Sequence, residues 1–403
     1  MRRSPLVTMM FADALDHGWR RTCLAVVLTA IAAVRADAQD AGHVSTWARA
    51  VDAYLAGAED SVSSVLSLSP DEVTTQSREA LDAWMSRAHA ATGTVNAPAE
   101  WRLAIRRVQA SALLPLEILS LLSTRLRLLP PMKAYEAASM DAWKRLGYDE
   151  MADALPLGAE SRARQRRFRT WWQIAYLQFL MNNARYADFR EHAPQVHLTD
   201  AAQTARVQLF LLRGMVEETL ARQPGVEARR PDNDEIWQTS RLDHMTRALA
   251  AAAGWYRRVL ESAPADPEAT LHLGRVLIDL ERPQEALRAL RPLLASPCGT
   301  THCALASLFS GEAHEMLRAD REAATAYAHA ASLTDVRQSA LVALMQLAVR
   351  DDDAAKSTRL LGQFAQGTPL AAIDGPDAWS VYLRGRRQNF AAVLRPLREA
   401  IVP

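Results

Sequence analysis

The sequence predicts an all-α protein in which an N-terminal helical domain is followed by shorter helices at near-regular spacing. Apolar residues recur with the helical period along most of the chain, and the alternating Val, Ile, Thr and Tyr runs typical of strands are missing from the sequence. Helix starts are also recognisable. Ser69-Pro70 and Asp266-Pro267 each place a capping side chain before a proline at the first helical position.

The first segment, residues 1–38, is predicted to be a cleaved export signal. Arg20 and Arg21 precede an apolar run over 23–34, and an A-x-A cleavage pattern ends at Ala38. This run is too short to span a bilayer as a permanent helix. We therefore expect a periplasmic or secreted mature protein with no stable membrane span. The alternative is an ordinary amphipathic helix.

The charge balance argues against a nucleic-acid partner. The formal net charge is +1, whereas a protein that neutralises phosphates usually carries a marked basic excess. Nearly all the basic residues are arginines, which would suit phosphate recognition. They are scattered and matched by carboxylates, however, as the codon usage of a GC-rich genome would also produce. We expect no nucleic acid among the partners.

The mature chain divides into three parts by pattern. Residues 39–158 are predicted to form a non-repetitive helical domain, 159–230 divergent helix pairs, and 231–403 regular repeats. Helices of the first part are expected near 43–67, 70–91, 98–128 and 131–154.

The regular part contains an internal repeat. A small residue is followed twelve positions later by Ala and four further on by a bulky residue. Three sets follow this rule: Ser240, Ala252 and Tyr256; Gly274, Ala286 and Leu290; and Gly311, Ala323 and Tyr327. Two antiparallel helices can cross closely where both carry small residues, and the bulky side chain then fills the groove against the neighbouring pair.

This spacing resembles the tetratricopeptide repeat, a helix-turn-helix unit of 34 residues, and the best single match is 266–298. Residues 377–400 resemble a further, degenerate pair. The resemblance implies a right-handed α-solenoid with a groove lined by the first helix of each pair. Carried over position by position, the groove residues are Trp237, Arg241, His244, Arg275, Asp279, Glu312 and Glu315. Such mixed charges suit a peptide or another domain's surface. The alternatives are a solvated polar face and a generic Ala-rich bundle.

The cysteines that remain after signal removal, Cys298 and Cys303, flank the insertion in the repeat. In an oxidising compartment this spacing favours a local disulfide. Free thiols are a second possibility. A metal site is a third, and it would need His302 and a fourth ligand such as His272, in a spacing that matches no familiar zinc motif.

The sequence contains no nucleophile elbow, phosphate-binding loop or dinucleotide-binding fingerprint. We therefore expect no enzyme activity and no cofactor. The predicted function is an exported scaffold or adaptor that binds a protein or peptide, in a cell-envelope assembly. The alternative is a helical enzyme or a small-ligand or carbohydrate-binding protein, with a cleft between the N-terminal helical domain and the repeats.

Overall fold

The structure, a computed structural model, describes most of the chain after residue 44. The described ranges are 45–58, 61–122, 130–146, 159–196, 202–222, 234–295, 300–333, 336–367 and 391–401, with residues 198, 378–379 and 382–383. Every regular element in these ranges is a helix, which confirms the all-α prediction. No described helix is long and apolar enough to cross a membrane. The predicted export signal lies outside the described residues.

The chain forms two compact units. The first comprises Met1–Arg185, Val196–Ala201 and Asn389–Pro403, and the second comprises Tyr186–Gln195 and Ala202–Gln388. The sequence division into three parts follows the repeat pattern rather than spatial contacts, and it stays a prediction.

The first unit contains seven of the described helices, numbered here in chain order. They are α1 (Thr46–Leu55), α2 (Ser61–Leu66), α3 (Pro70–Ala90), α4 (Ala97–Leu122), α5 (Pro130–Arg145), α6 (Ala159–Asn182) and α16 (Ala391–Ile401). The single helix expected near 43–67 is therefore two helices. The chain turns at Gly57, whose φ of 77° lies in the left-handed region that glycine adopts readily.

The predicted start of α3 is confirmed in detail. The Ser69 hydroxyl accepts the backbone N–H of Glu72 at 3.3 Å, and the Glu72 carboxylate accepts the Ser69 N–H at 2.7 Å. This reciprocal capping box, with Pro70 at the first helical position, satisfies donors that a helix N-terminus otherwise leaves unpaired.

The last helix, α16, packs against α4 and α6 of the first unit. Its residue Arg398 donates two hydrogen bonds, of 2.6 and 2.8 Å, to the buried carboxylate of Glu117 on α4. Residues 377–400 were predicted to form one more repeat pair. The structure corrects this for 391–401, which form a helix of the first unit. A buried carboxylate needs a partner of opposite charge, and α16 supplies it.

The second unit contains the remaining described helices. They are α7 (Tyr186–His192), α8 (Gln203–Arg222), α9 (Asp234–Ser262), α10 (Pro267–Asp279), α11 (Pro283–Leu294), α12 (Thr301–Met316), α13 (Asp320–Ala331), α14 (Arg337–Arg350) and α15 (Ala354–Gly367). From α8 to α15 each helix packs against the next one, and α10 also packs against α12. These are stacked helix pairs of the tetratricopeptide-like kind.

The turn inside three of these pairs has the same geometry. Glu281, Arg318 and Asp352 each have a φ between 56° and 59°. The residue after each donates its backbone N–H to the carbonyl five positions earlier, at 2.8 to 3.0 Å. This is the Schellman motif, which ends a helix and pairs its last carbonyls. The same turn therefore joins the two helices of each of these pairs.

The predicted contact between small and bulky residues is present in two pairs. A Cβ added at Gly274 would meet Leu290 at 2.3 Å, and one added at Gly311 would meet Tyr327 at 2.4 Å. The third set is wrong as a helix pair, because Ser240, Ala252 and Tyr256 lie on the single helix α9.

The small partner of Tyr256 is instead Gly214 on α8, where an added Cβ would meet the tyrosine ring at 2.5 Å. The first complete pair of the second unit is therefore α8 with α9, and α8 is its first helix.

Candidate functional site

Three of the predicted groove residues form one ion-pair network on the first helices α10 and α12. Arg275 lies 2.9 Å from a carboxylate oxygen of Asp279 one turn later, and 2.5 Å from Glu312 on α12. The Arg275 guanidinium also lies over the ring of Phe309, 5.1 Å from its centroid. The structure therefore brings Arg275, Asp279 and Glu312 together, as the repeat spacing predicts.

The network continues to α8 through Arg222. Its Nη2 donates to Asp279 at 2.5 Å. Its Nη1 lies 2.7 Å from Glu218, an ion-pair contact without hydrogen-bond geometry. The side chains of Arg222, Asp279, Arg275 and Glu312 thus connect three successive first helices. We call this surface of α8, α10 and α12 the first-helix face.

The other predicted groove residues have different positions. Glu315, on α12, accepts hydrogen bonds from Tyr327 at 3.0 Å and from Arg350 of α14 at 2.8 Å. His244 is exposed on α9 and forms no part of the network. Trp237 and Arg241 lie on the same helix, but their side chains are outside the described structure.

The prediction for Trp237, Arg241 and His244 assumed that their helix, α9, is the first helix of a pair. Since α9 is the second helix of the α8–α9 pair, α8 supplies the first-helix residues there. The prediction that the seven groove residues contact a partner stays a prediction.

Beneath this face lies His272, a fully buried histidine of α10. Its Nδ1 is 2.6 Å from Oε2 of Glu218, and its Nε2 is 3.3 Å from Oε1 of Glu268. The Tyr256 hydroxyl donates to the same Glu218 oxygen at 2.7 Å. A neutral imidazole has one N–H only, so the arrangement matches an imidazolium, which donates from both nitrogens.

The pKa values of this cluster follow from its geometry. Burial would raise the pKa of Glu218 and lower that of His272, but the charges and hydrogen bonds of their partners together outweigh burial. These partners are each other, with Arg222 and Tyr256 beside Glu218 and Glu268 beside His272. The pKa of Glu218 therefore falls to about 2, and that of His272 rises to about 9. Burial and the Glu218 charge raise the pKa of Tyr256 well above its usual range, so its hydroxyl stays a donor. At neutral pH the cluster is a buried carboxylate–imidazolium pair.

This pair predicts how stability depends on pH. The folded-state pKa of His272, about 9, exceeds its ordinary 6.5, so its stabilising contribution is complete below pH 6.5. The contribution is lost as the pH rises through about 9. The pKa of Glu218 is lowered from 4.5 to about 2, so its contribution is present above pH 4.5 and lost as the pH falls through 2.

Urea denaturation between pH 6.5 and 9 measures the alkaline loss. We expect the free energy of unfolding to fall by up to about 3 kcal/mol over this interval. His272→Gln should remove most of this slope, because glutamine does not titrate. An equal slope in the variant would contradict the assignment to His272.

Two aromatic residues from later in the chain cover the first-helix face. Trp379 is buried, and its indole ring meets the His272 ring of α10 edge-on with centroids 4.8 Å apart. It meets Phe309 of α12 at 5.4 Å, and the guanidinium of Arg222 on α8 lies over it at 5.8 Å. One indole thus contacts all three first helices.

The second aromatic residue, Tyr382, stacks on Trp379 with ring centroids 5.4 Å apart. Its hydroxyl donates to the carboxylate of Glu268, which also lies 3.1 Å from Nε2 of His302. We call Trp379 and Tyr382 the aromatic pair. The pair contacts the rings of His272 and Phe309, the guanidinium of Arg222 and the carboxylate of Glu268. The buried Nε1 of Trp379 has no hydrogen-bond partner within the described part of the chain.

The sequence did not reveal Glu218, Glu268 or the aromatic pair as site residues. The i,i+4 spacing of Glu268 and His272 among the apolar residues of the first half of α10 was a visible signal, because it places both side chains on one face of the helix. The other contacts join residues far apart in the chain, such as Tyr382 and Glu268, which are 114 positions apart.

The cysteine and metal predictions have separate outcomes. Cys303 is disulfide-bonded, but Cys298 lies outside the described residues, so their pairing stays a prediction. No group of three or more His, Cys, Asp and Glu side chains in the described ranges could hold a metal ion. His272 donates from both nitrogens and therefore offers no lone pair to a metal.

A cavity of about 540 Å³ lies between α11, α12 and α13 in the second unit. Glu322 is the one carboxylate in its lining, and no tryptophan lines it. Glycoside hydrolysis usually requires two carboxylates that face each other across the bond. This cavity does not have that arrangement.

The fold and the first-helix face define the class of this chain: an all-α protein of stacked, tetratricopeptide-like helix pairs. No family model and no characterised protein matches its sequence. Solved structures of human IFIT1 are similar. The human IFIT1 dimer with PPP-AAAA is 13% identical, with 79% of this chain and 69% of that chain covered and a TM-score of 0.35. The dimer with m7Gppp-AAAA is 16% identical, with 85% and 71% covered and a TM-score of 0.38.

Proposed function

We propose that this protein is a scaffold that binds a protein partner through the first-helix face. The observation that carries the proposal is the position of the aromatic pair. Trp379 contacts side chains of α8, α10 and α12 at once, and Tyr382 donates to Glu268 of α10. A surface that holds these side chains from its own chain has the chemistry to hold them from a partner.

The kind of partner follows from the groups on this face. Arg222 and Phe309 offer a cation and a ring to an aromatic side chain, and the Glu268 carboxylate accepts from a hydroxyl. Aromatic residues with one polar atom are well suited to such a site, because they bury a large area and lose little side-chain entropy. The partner we propose is a peptide segment with a Trp and a Tyr spaced as in Trp379 and Tyr382.

In this proposal, a partner segment can displace the aromatic pair from the first-helix face. The buried Trp379 Nε1 lacks a hydrogen-bond partner among the described residues, although buried indole N–H groups usually have one. A buried donor left unpaired costs about 1–3 kcal/mol. A partner segment whose own indole N–H has an acceptor would avoid this cost and would therefore compete well with the aromatic pair.

We also propose that the protein is exported and is not an enzyme. Export rests on the signal pattern that ends at Ala38, and N-terminal sequencing of the protein from the periplasmic fraction tests it. Gln39 is the expected first residue, and an intact N-terminus would contradict cleavage. The proposal that the protein is not an enzyme rests on the buried imidazolium of His272, whose two nitrogens are committed to Glu218 and Glu268 beneath the buried Trp379 ring. Measurable hydrolysis by the purified protein in a panel of glycosidase and esterase substrates would contradict it.

A labelled peptide of residues 374–388 tests the binding proposal. We expect it to bind the full-length double variant Trp379→Ala/Tyr382→Ala, whose face is vacated, at least tenfold more tightly than the unaltered protein. In the unaltered protein the aromatic pair competes at a high effective concentration. Fluorescence anisotropy measures both affinities, and circular dichroism checks that the variant is folded.

Two controls make this test specific. A peptide with Ala in place of its Trp should lose binding to the double variant. Adding Arg288→Gln, an exposed change on α11, should leave peptide affinity unchanged, whereas adding Arg222→Gln should weaken it. A folded double variant that binds neither peptide would contradict the proposal.

A further inference from the structure

Two guanidinium groups share one indole ring on the α8–α9 pair. The Cζ atoms of Arg213 on α8 and Arg258 on α9 lie 4.7 and 4.6 Å from the ring centroid of Trp255. Phe210, one turn before Arg213, packs against the same indole with centroids 5.5 Å apart. The two cations are therefore held in fixed positions by aromatic contacts.

These two arginines differ from their neighbours in the second unit. The arginines that pair with carboxylates there include Arg190, Arg222, Arg257, Arg275 and Arg350. Within the described part of the chain, neither Arg213 nor Arg258 has a carboxylate partner. Each lies over the ring of Trp255 instead.

Because both Cζ atoms lie within 4.7 Å of one ring centroid, the two like charges are near enough to repel each other. Burial, and then the charge of Arg258, lower the pKa of Arg213. Arg213 donates from Nη2 to the carbonyl of Ala193 at 2.5 Å, but its buried Nε has no hydrogen-bond partner among the described residues. Stacking on Trp255 accounts for the position of each cation but not for the cost of placing them together. An anion that accepts from both guanidinium groups would offset that cost.

We propose that Arg213 and Arg258 form a binding site for a phosphate group of a soluble ligand. A guanidinium presents several N–H donors in a planar fork that matches the oxygens of a phosphate, and stacking orients that fork in advance. A phosphate has enough oxygens to accept from both arginines. Because Trp255 already contacts both guanidiniums, the site recognises the anion rather than a stacked base. This proposal does not depend on the first-helix face.

Isothermal titration of the full-length protein with tripolyphosphate at low ionic strength tests the site. We expect binding by the unaltered protein, and an affinity at least tenfold lower for Arg258→Gln. Arg258 is exposed, so this change should leave the fold intact. The matched control is Arg257→Gln, which removes a neighbouring exposed arginine that already pairs with Glu285. Its affinity should stay within about twofold of the unaltered protein, since neighbouring surface charges contribute little.

Two outcomes would overturn the proposal. Equal losses for Arg258→Gln and Arg257→Gln would show that tripolyphosphate responds only to overall charge. Equal affinity for citrate would show that the site does not select phosphate over carboxylate. Arg213→Gln should reproduce the Arg258→Gln loss, and thermal unfolding of that variant separates a loss of binding from a loss of fold.

Discussion

Glu218→Ala is expected to lower the free energy of unfolding by about 3–5 kcal/mol, because it leaves the His272 imidazolium buried without its closest counter-charge. Glu218 accepts from His272 at 2.6 Å and from Tyr256 at 2.7 Å. Glu268, at 3.3 Å from the other ring nitrogen, remains but is the more distant partner. Truncation also leaves the buried Tyr256 hydroxyl without its acceptor. Urea denaturation at neutral pH measures the loss.

The matched control for this prediction is Glu312→Ala in the same ion-pair network. Glu312 pairs with Arg275 but is 39% exposed, so water replaces the lost interaction and the expected cost is below about 1 kcal/mol. Removing both members of the buried pair in Glu218→Leu/His272→Leu should cost less than Glu218→Ala, because the imidazolium is then removed together with its closest counter-charge. Equal costs for Glu218→Ala and Glu312→Ala would contradict the role of burial.

Features of this fold that arise from nearby residues could be predicted from the sequence. The Asp266 side chain caps α10 by accepting the N–H of Ala269 at 2.8 Å, as Asp-Pro before a helix indicates. The contacts of Gly274 with Leu290 and of Gly311 with Tyr327 were also visible as spacings. Each joins the two helices of one pair across a short turn, so its distance along the chain is fixed by the turn.

Contacts across a connection that departs from the repeat length could not be predicted in the same way. Tyr256 matches the expected spacing from Ser240, but its small neighbour is Gly214 on the preceding helix. Spacing is informative only where the connection has a fixed length. The sequence between α8 and α9 departs from the repeat. The spacing along the chain therefore does not predict which residues of these two helices meet.

The buried charges at the site could not be predicted either, because they also join residues far apart in the chain. Glu218 and His272 are 54 positions apart, so no local spacing in the sequence indicates that they pair. Their pairing depends on how α8 stacks against α10. Arg275 and Glu312, in contrast, were predicted to share a surface, because equivalent positions of successive repeats face the same way.

The close approach of paired helices gives the second large effect. Gly311→Ala is expected to lower the free energy of unfolding by about 1–3 kcal/mol, although alanine favours helix over glycine by up to about 1 kcal/mol. The new Cβ would lie 2.4 Å from two ring carbons of Tyr327. That ring is buried, and its hydroxyl donates to Glu315, so the ring cannot turn away without losing a hydrogen bond.

Gly254→Ala, in the middle of α9, is the matched control. A Cβ there would have no atom within 4 Å, so the change should raise the free energy of unfolding by about 0.5–1 kcal/mol through helix propensity alone. The two substitutions therefore have opposite expected signs, which chemical denaturation resolves. Adding Tyr327→Leu to Gly311→Ala should recover part of the loss, because the flexible leucine can yield to the new methyl group. A stabilising Gly311→Ala would show that α12 and α13 are not held together by this contact.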